Sequence, residues 1–146
     1  MPSLSDEIYP GTCILLPKPG GDIKHLWIVL TEAEGNPPQV VIVNLTTRKQ
    51  GTTDTTCVLM PGDHEFVKAE TIVHYMDARL APAQPLSQIA KLADYDFHAD
   101  CSEVLLRRIQ QGLLDSPFTP KKIKAYCSPR FAFESGAEAN AAPPTA

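Results

Sequence analysis

The stretches HLWIVLT, residues 25–31, and VVIVNL, residues 40–45, decide the fold of this chain. Each run is short and densely apolar, which is typical of a strand buried on both faces of a closing sheet. Between them lies Glu34-Gly35-Asn36-Pro37-Pro38, in which glycine and proline favour a turn. We therefore expect two consecutive strands of a compact antiparallel β domain.

Three further short strands flank this central pair. The turn signal Pro10-Gly11 opens a strand over 12–16, and two more strands are expected over 56–60 and 71–75. Prolines and glycines in 17–22 favour a loop there. Five short strands separated by turns predict a small barrel or a sandwich.

The chain changes character after residue 80. Asp100, with Glu103 three residues later, forms a capping-box pattern for a helix over 101–114. A second helix is expected to begin at Thr119-Pro120. The end of the chain has no apolar pattern and is expected to be disordered. The predicted segments are a β domain over 9–80, a helical extension over 81–133 and a disordered tail over 134–146.

The first helix has two distinct sides at helical spacing. Its buried side is expected to comprise Val104, Leu105, Ile109, Leu113 and Leu114. Its outward side is expected to comprise Arg107, Arg108, Gln110 and Gln111.

Composition excludes several classes of protein. Of the 146 residues, 43% are apolar and 21% charged, which is near the average of globular proteins and unlike a disordered or fibrous chain. No stretch approaches the roughly 18 apolar residues that span a bilayer. The beginning, MPSLSDEIYPG, has acidic residues where a secretion signal needs a basic and then an apolar segment. We expect a cytoplasmic protein that does not bind a membrane.

The net charge of −4 is unevenly distributed. Residues 101–130 carry six basic and two acidic side chains, so the rest of the chain has a net charge of −8. Counterion release needs many clustered cations, so this profile is not that of a general nucleic-acid coat protein. The basic segment could be a solvated helix face, could dock on the acidic β domain, or could bind a few phosphates.

The four cysteines, Cys13, Cys57, Cys101 and Cys127, are widely separated. They form no C-x-x-C pair, and no histidine stands beside any of them at ligand spacing. We interpret them as buried free thiols, with a metal site or a disulfide as the alternative.

A first candidate site is formed by Asp63 and His64, with His74 about ten residues later. An aspartate beside a histidine can orient the imidazole for proton transfer, or the pair can contact a substrate. In the alternative, Asp63 accepts backbone hydrogen bonds in a turn and His64 fixes the path into the next strand. A metal site built from the three residues is a further alternative, although a third or fourth ligand is not evident.

A second candidate site combines Lys24 and His25, before one buried strand, with Thr46, Thr47 and Arg48, after the next. In a small barrel, adjoining strand ends bring such residues together. A cation beside a hydroxyl can hold a phosphodiester and stabilise its developing charge. The alternative is that these are only polar residues leaving a buried strand.

The order of these segments resembles the opening of the MazF/PemK family of toxins. The resemblance rests on PGTCILL at 10–16, a Pro/Gly loop, KHLWIVL at 24–30 and VIVNLTT at 41–47, and it covers roughly residues 9–80. It implies a mainly β fold with C-terminal α structure: an SH3-like barrel of about five antiparallel strands, followed here by two helices. It also implies a homodimer that cleaves single-stranded RNA, without a metal ion or cofactor, and is neutralised by an antitoxin protein.

The family's catalytic pair is an arginine in an Arg-Pro step at the start of the second strand and a serine or threonine after the third. Here Lys24-His25-Leu26 replaces the Arg-Pro step, whereas Thr46 and Thr47 match the hydroxyl position. The resemblance thus implies Lys24, His25, Thr46 and Thr47 as catalytic residues, with Arg48 positioning the phosphate. The missing Arg-Pro step favours an alternative: a non-catalytic SH3-like module whose basic helices bind a protein partner or nucleic acid.

Overall fold

A computed structural model of the chain describes residues 8–17, 24–84, 86 and 97–131. Its strands are β1 (Cys13–Pro17), β2 (Lys24–Val29), β3 (Gln39–Thr47), β4 (Val58–Leu59), β5 (Thr71–Pro82) and β6 (Phe97–His98). Its helices are α1 (Glu103–Asp115) and α2 (Lys121–Cys127). The predicted disordered tail over 134–146 lies outside the described residues.

The strands form one antiparallel sheet in the order β4-β5-β3-β2-β1-β6. Strands β1 to β5 curl into a half-barrel, and the two helices follow them in the chain, which confirms the predicted mainly β fold with C-terminal helices. The two-residue strand β6, beside β1, was not predicted. Strand β5 also continues to Pro82, well past the predicted end at residue 75.

Both faces of the central strands are buried, as their apolar density predicts. Side chains alternate across a strand, so each strand contributes to two clusters. The helix-covered face carries Leu26, Ile28, Val41, Val43, Leu45, Val73 and Tyr75. The opposite face carries Ile14, Leu16, Trp27, Val29, Val40 and Ile42.

Helix α1 packs on the helix-covered face through Leu105, Ile109 and Leu113. The prediction for the first helix was wrong at two positions: Val104 is 72% exposed, whereas Gln110 is buried and its amide donates to Leu30 O at 2.9 Å. Helical spacing alone places Gln110 on the outward side. It carries no information about the Leu30 carbonyl, just after β2, which lies within hydrogen-bond distance of the Gln110 amide.

The predicted cap of the first helix was also wrong. Ser102 is the N-cap, and its hydroxyl accepts a hydrogen bond from Leu105 N at 3.1 Å. Asp100 accepts instead from the Tyr9 hydroxyl at 2.7 Å. At the second helix, Pro120 occupies the cap position, and the Thr119 hydroxyl donates to Leu113 O at 2.7 Å.

Hydrogen bonds link the segments beside the two edges of the sheet. His64 follows the edge strand β4, and its imidazole lies 2.6 Å from Ala99 O, just after the other edge strand β6. Cys101 N donates to Gly11 O at 3.0 Å, which ties the start of α1 to the segment before β1. Within the described residues, no helix is long and apolar enough to cross a membrane.

The four cysteines are free thiols, and all but Cys101 are buried. The sulfurs of Cys13 and Cys101 lie 3.7 Å apart. Their hydrogen bond lowers the pKa of Cys101 and, together with burial, raises that of Cys13. Burial also raises the pKa of Cys57, and it raises that of Cys127 to about 12.

The contact between α1 and β5 sets the stability prediction. The Tyr75 hydroxyl donates to Ile109 O at 2.8 Å, and a Cβ at Gly112 would lie 2.1 Å from that hydroxyl oxygen. Alanine is favoured over glycine in a helix by roughly 1 kcal/mol. We expect Gly112→Ala nevertheless to lower the free energy of unfolding, by about 1–3 kcal/mol, because Tyr75 must move.

Urea or thermal unfolding followed by circular dichroism measures this loss. The matched control is Gln111→Ala on the exposed side of the same helix, which should change stability by less than about 0.5 kcal/mol. A Gly112→Ala protein as stable as the wild type would contradict the close contact.

The thiol environments set a second prediction. Since the thiolate is the reactive form, Cys101 should be the first cysteine of the native protein to be alkylated by iodoacetamide near neutral pH. Peptide mass mapping after short exposure identifies the site, with Cys101→Ser as the control. First labelling at Cys57 or Cys127 would show that the packing described for them is wrong.

Candidate functional site

A cleft at one end of the sheet brings together four of the five residues of the second predicted site. Because β2 and β3 are antiparallel neighbours, the beginning of β2 lies beside the end of β3. Lys24 and His25 from β2 and Thr46 and Thr47 from β3 therefore line one cleft, with a volume of about 370 Å³. We call it the strand-end cleft.

The strand-end cleft is strongly cationic. Lys49, just beyond β3, and Lys68, in the segment before β5, join Lys24 in its wall. No carboxylate belongs to the described lining residues, so the described wall carries three ammonium groups and a positive potential that attracts anions. Sequence reasoning missed Lys49 and Lys68 because no spacing rule links a loop lysine to a distant strand end.

The remaining wall is partly apolar. Leu45, Phe66 and Ala69 line the cleft together with the Thr71 side chain. A cleft with lysines, hydroxyls and one aromatic ring can hold a phosphate and an attached flat group.

His25 is held in a defined orientation in this cleft. Its Nδ1 lies 3.2 Å from Leu45 O, and a carbonyl can only accept, so Nδ1 carries the proton in the neutral ring. Nε2 is then the basic nitrogen. An oriented imidazole beside hydroxyls and ammonium groups can accept or deliver a proton during cleavage of a phosphate ester.

Arg48, Asp63 and His64 lie outside the lining of the strand-end cleft. The Arg48 guanidinium pairs with Glu70, and Arg48 N donates to Glu70 O at 2.9 Å. The Asp63 carboxylate accepts from Met60 N at 2.8 Å and lies 3.5 Å from the Arg108 guanidinium. These contacts are structural: they order a strand end and a turn.

His64 is buried and bonded at both ring nitrogens. Nδ1 accepts from Phe66 N at 3.0 Å, so Nε2 carries the proton and donates to Ala99 O. The bond from Met60 N to Asp63 is the turn contact that the alternative interpretation expected, whereas His64 bonds to the segment after β6 and not only to its own turn. Within the described residues, no group of three histidine, cysteine or acidic side chains could hold a metal ion, so Asp63, His64 and His74 do not form a metal site.

Three basic side chains of residues 101–130 contact other parts of the protein. Arg108 donates to Val58 O at 2.9 Å, and Lys124 donates to Ser116 O at 3.0 Å. Arg130 pairs with Glu34 at 2.9 Å and stacks on the Tyr126 ring at 3.7 Å, and this pairing lowers the pKa of Glu34. The contacts of Arg108 with Val58 and of Arg130 with Glu34 agree with docking of the basic segment on the acidic β domain.

The environments of His64 and His25 predict that substituting His64 changes stability, whereas substituting His25 changes binding. We expect His64→Gln to lower the free energy of unfolding by about 1–3 kcal/mol, because glutamine cannot replace both ring hydrogen bonds of this buried side chain, to Phe66 N and to Ala99 O. It should leave the affinity for a single-stranded oligonucleotide unchanged, since His64 does not line the cleft. The measurements are thermal unfolding and fluorescence polarisation, with His25→Gln as the reverse control; weaker binding by folded His64→Gln protein would contradict this assignment.

Neither a protein-family model, a curated protein nor a solved structure matches this chain. The function is therefore argued from the geometry and charge of the strand-end cleft, together with the order of the strands.

Proposed function

We propose that this protein is an endoribonuclease of the MazF/PemK type that cleaves single-stranded RNA in the strand-end cleft without a metal ion. The observation that carries the proposal is the convergence of Lys24, His25, Thr46 and Thr47 in one cationic cleft. The order of the strands supports it independently.

The cleft residues can perform each part of the reaction. The 2′-oxygen of a ribose attacks the adjacent phosphorus as its proton leaves, and the bond from phosphorus to the 5′-oxygen breaks. The products are a 2′,3′-cyclic phosphate and a 5′-hydroxyl, and the leaving oxygen takes up one proton. His25 is a proton-transfer group in this scheme, through Nε2.

The lysines and threonines stabilise the transition state. Negative charge grows on the phosphoryl oxygens, and Lys24, Lys49 and Lys68 offset it electrostatically. The hydroxyls of Thr46 and Thr47 donate hydrogen bonds to the same oxygens. Lysine lacks the planar fork with which arginine grips a phosphate, so several separate point charges replace one bidentate contact.

Single-stranded RNA suits such a cleft. An unpaired chain can present both its phosphate and its 2′-hydroxyl to one wall, whereas a paired duplex holds them in a fixed helical geometry. We further propose, from the resemblance, a cytoplasmic homodimer and an antitoxin protein whose acidic groups compete with RNA for the cleft.

The alternative is a non-catalytic SH3-like module that binds a partner through its basic helices. The contacts of Arg108 and Arg130 weigh against it, because these arginines already pair with Asp63 and Glu34. Lys121 and Lys122 are exposed on α2 and remain the best candidates for such binding.

The central experiment compares a double variant in the strand-end cleft with a double variant on α2 that removes at least as much positive charge. We expect Lys24→Ala with His25→Ala to lower the rate of cleavage of single-stranded RNA by about 100-fold or more, because a proton-transfer group and a phosphate contact are lost. Lys121→Ala with Lys122→Ala should cleave at the wild-type rate. Cleavage is followed on denaturing gels in the presence of a chelator.

Two outcomes would overturn the proposal. One is RNA left equally intact by the wild type and the cleft variant. The other is growth arrest that is the same on induction of the cleft variant and of the wild type, since a ribonuclease toxin must act through its cleft.

The charge of the cleft sets a prediction for binding. Three lysine contacts to phosphates predict that the logarithm of the affinity falls with the logarithm of salt concentration with a slope of about −2. The ligand is an uncleavable oligonucleotide with 2′-deoxyribose, measured by fluorescence polarisation. Lys68→Ala should make the slope shallower by roughly 0.7, and Lys122→Ala should not change it.

A further inference from the structure

A second cleft adjoins the strand-end cleft on the other side of Thr46. It has a volume of about 220 Å³, and Thr46 lines both clefts. Its walls include His74 and Met76 from β5, Thr52 from the segment between β3 and β4, and Phe118 from the segment between the helices. We call it the β5 cleft.

An irregularity in strand β5 positions the polar group of this cleft. Ile42 pairs with Arg79 and Asn44 pairs with His74, so the single residue Val43 of β3 faces residues 75–78 of β5. Such bulges turn side chains toward positions that a regular strand cannot reach, and they often adjoin active sites. Here the bulge folds Asp77 back toward His74.

Asp77 and Asn44 hold the imidazole of His74. The carboxylate oxygen Oδ2 of Asp77 lies 2.9 Å from His74 Nδ1 and accepts from Asn44 Nδ2 at 3.1 Å. Asn44 is fully buried, so it fixes the carboxylate from inside the sheet. A carboxylate that accepts from Nδ1 leaves Nε2 as the basic nitrogen of the neutral ring.

His74 stands beside Thr46 on the same face of the sheet. Thr46 pairs with Ile72, and His74 is two residues further along β5, so the two side chains are diagonal neighbours. Strand β3 lies between β5 and β2. His74 on β5 and His25 on β2 therefore flank the strand that carries Thr46.

Two other charged side chains of the described residues lie near this pair. The Arg79 guanidinium lies 3.9 Å from Oδ1 of Asp77. Asp54 also lines the β5 cleft, but its two carboxylate oxygens accept hydrogen bonds from Thr56 and Ser116. Asp77 is thus the carboxylate bonded to the imidazole.

We propose that His74 is a catalytic base of this protein, an inference that rests on the proposed ribonuclease function. Nε2 of His74 takes the proton of the 2′-hydroxyl as the 2′-oxygen bonds to phosphorus. His25 gives a proton to the 5′-oxygen as its bond to phosphorus breaks, so one proton is taken and one returned. Asp77 stays ionised and stabilises the imidazolium, as the aspartate does in hydrolase triads.

The first test uses a substrate whose leaving 5′-oxygen is replaced by sulfur, because a thiolate leaves without protonation. On ordinary RNA we expect His74→Gln and His25→Gln each to lower kcat by about 100-fold, with little change in KM. On the sulfur substrate His25→Gln should recover most of the lost rate, and His74→Gln should not. Asp77→Asn should lower kcat with the fold intact, as judged by circular dichroism.

His64→Gln is the matched control, because it makes the same substitution at a histidine outside both clefts. It should keep the wild-type kcat per folded molecule. Cleavage by His74→Gln at the wild-type rate would overturn the proposal, and so would recovery of His74→Gln on the sulfur substrate.

A binding measurement separates this proposal from the ribonuclease assignment itself. The wild type is titrated with an uncleavable 2′-deoxy oligonucleotide while the imidazole resonances are followed by NMR. Shifts at both His25 and His74 are expected. Shifts at His25 alone would overturn the role of His74 and leave the strand-end cleft as the binding site, whereas no shift at either histidine would overturn both proposals.

Discussion

The packing of α1 against the curled sheet is the contact on which the rest of the structure depends. Leu105, Ile109 and Leu113 fill the helix-covered face, and each such buried side chain contributes roughly 1.5–3 kcal/mol. Gly112 lets the helix approach Tyr75 closely enough for a hydrogen bond to a helix carbonyl. The sheet has two edge strands, β4 and β6, and the bond between His64 and Ala99 links the segments that follow them.

The same curl assembles the cationic cleft. Antiparallel pairing places the first residues of β2 beside the last residues of β3, and the segments around Lys49 and Lys68 contribute the remaining ammonium groups. The chain as a whole carries a net charge of −4. A positive cleft on an acidic protein concentrates attraction for an anion at one place and reduces binding elsewhere, which suits a specific site better than a broad nucleic-acid surface.

The hydrogen bonds of His64 differ from those of His25 and His74, and so do the roles that these side chains can have. His64 is buried with both ring nitrogens bonded, so it has no nitrogen left for chemistry. His25 and His74 are each oriented through Nδ1, and each lines a cleft that includes Thr46. The first pair of candidates named from the sequence, Asp63 and His64, has a structural explanation, whereas His74, placed with them in the same candidate site, is oriented by Asp77 and lies beside Thr46.

The sequence by itself determined the strands of the half-barrel, the two helices and the meeting of Lys24, His25, Thr46 and Thr47. The elements follow from local signals, namely apolar density and turn residues. The meeting of the four residues follows because the beginning of one antiparallel strand lies beside the end of its neighbour. The tertiary structure alone decided the burial of Gln110, the lysines that complete the cleft and the bulge that joins Asp77 to His74. Each of these depends on which segments, distant in the sequence, lie side by side in the fold, and the periodicity of one segment carries no information about its neighbours.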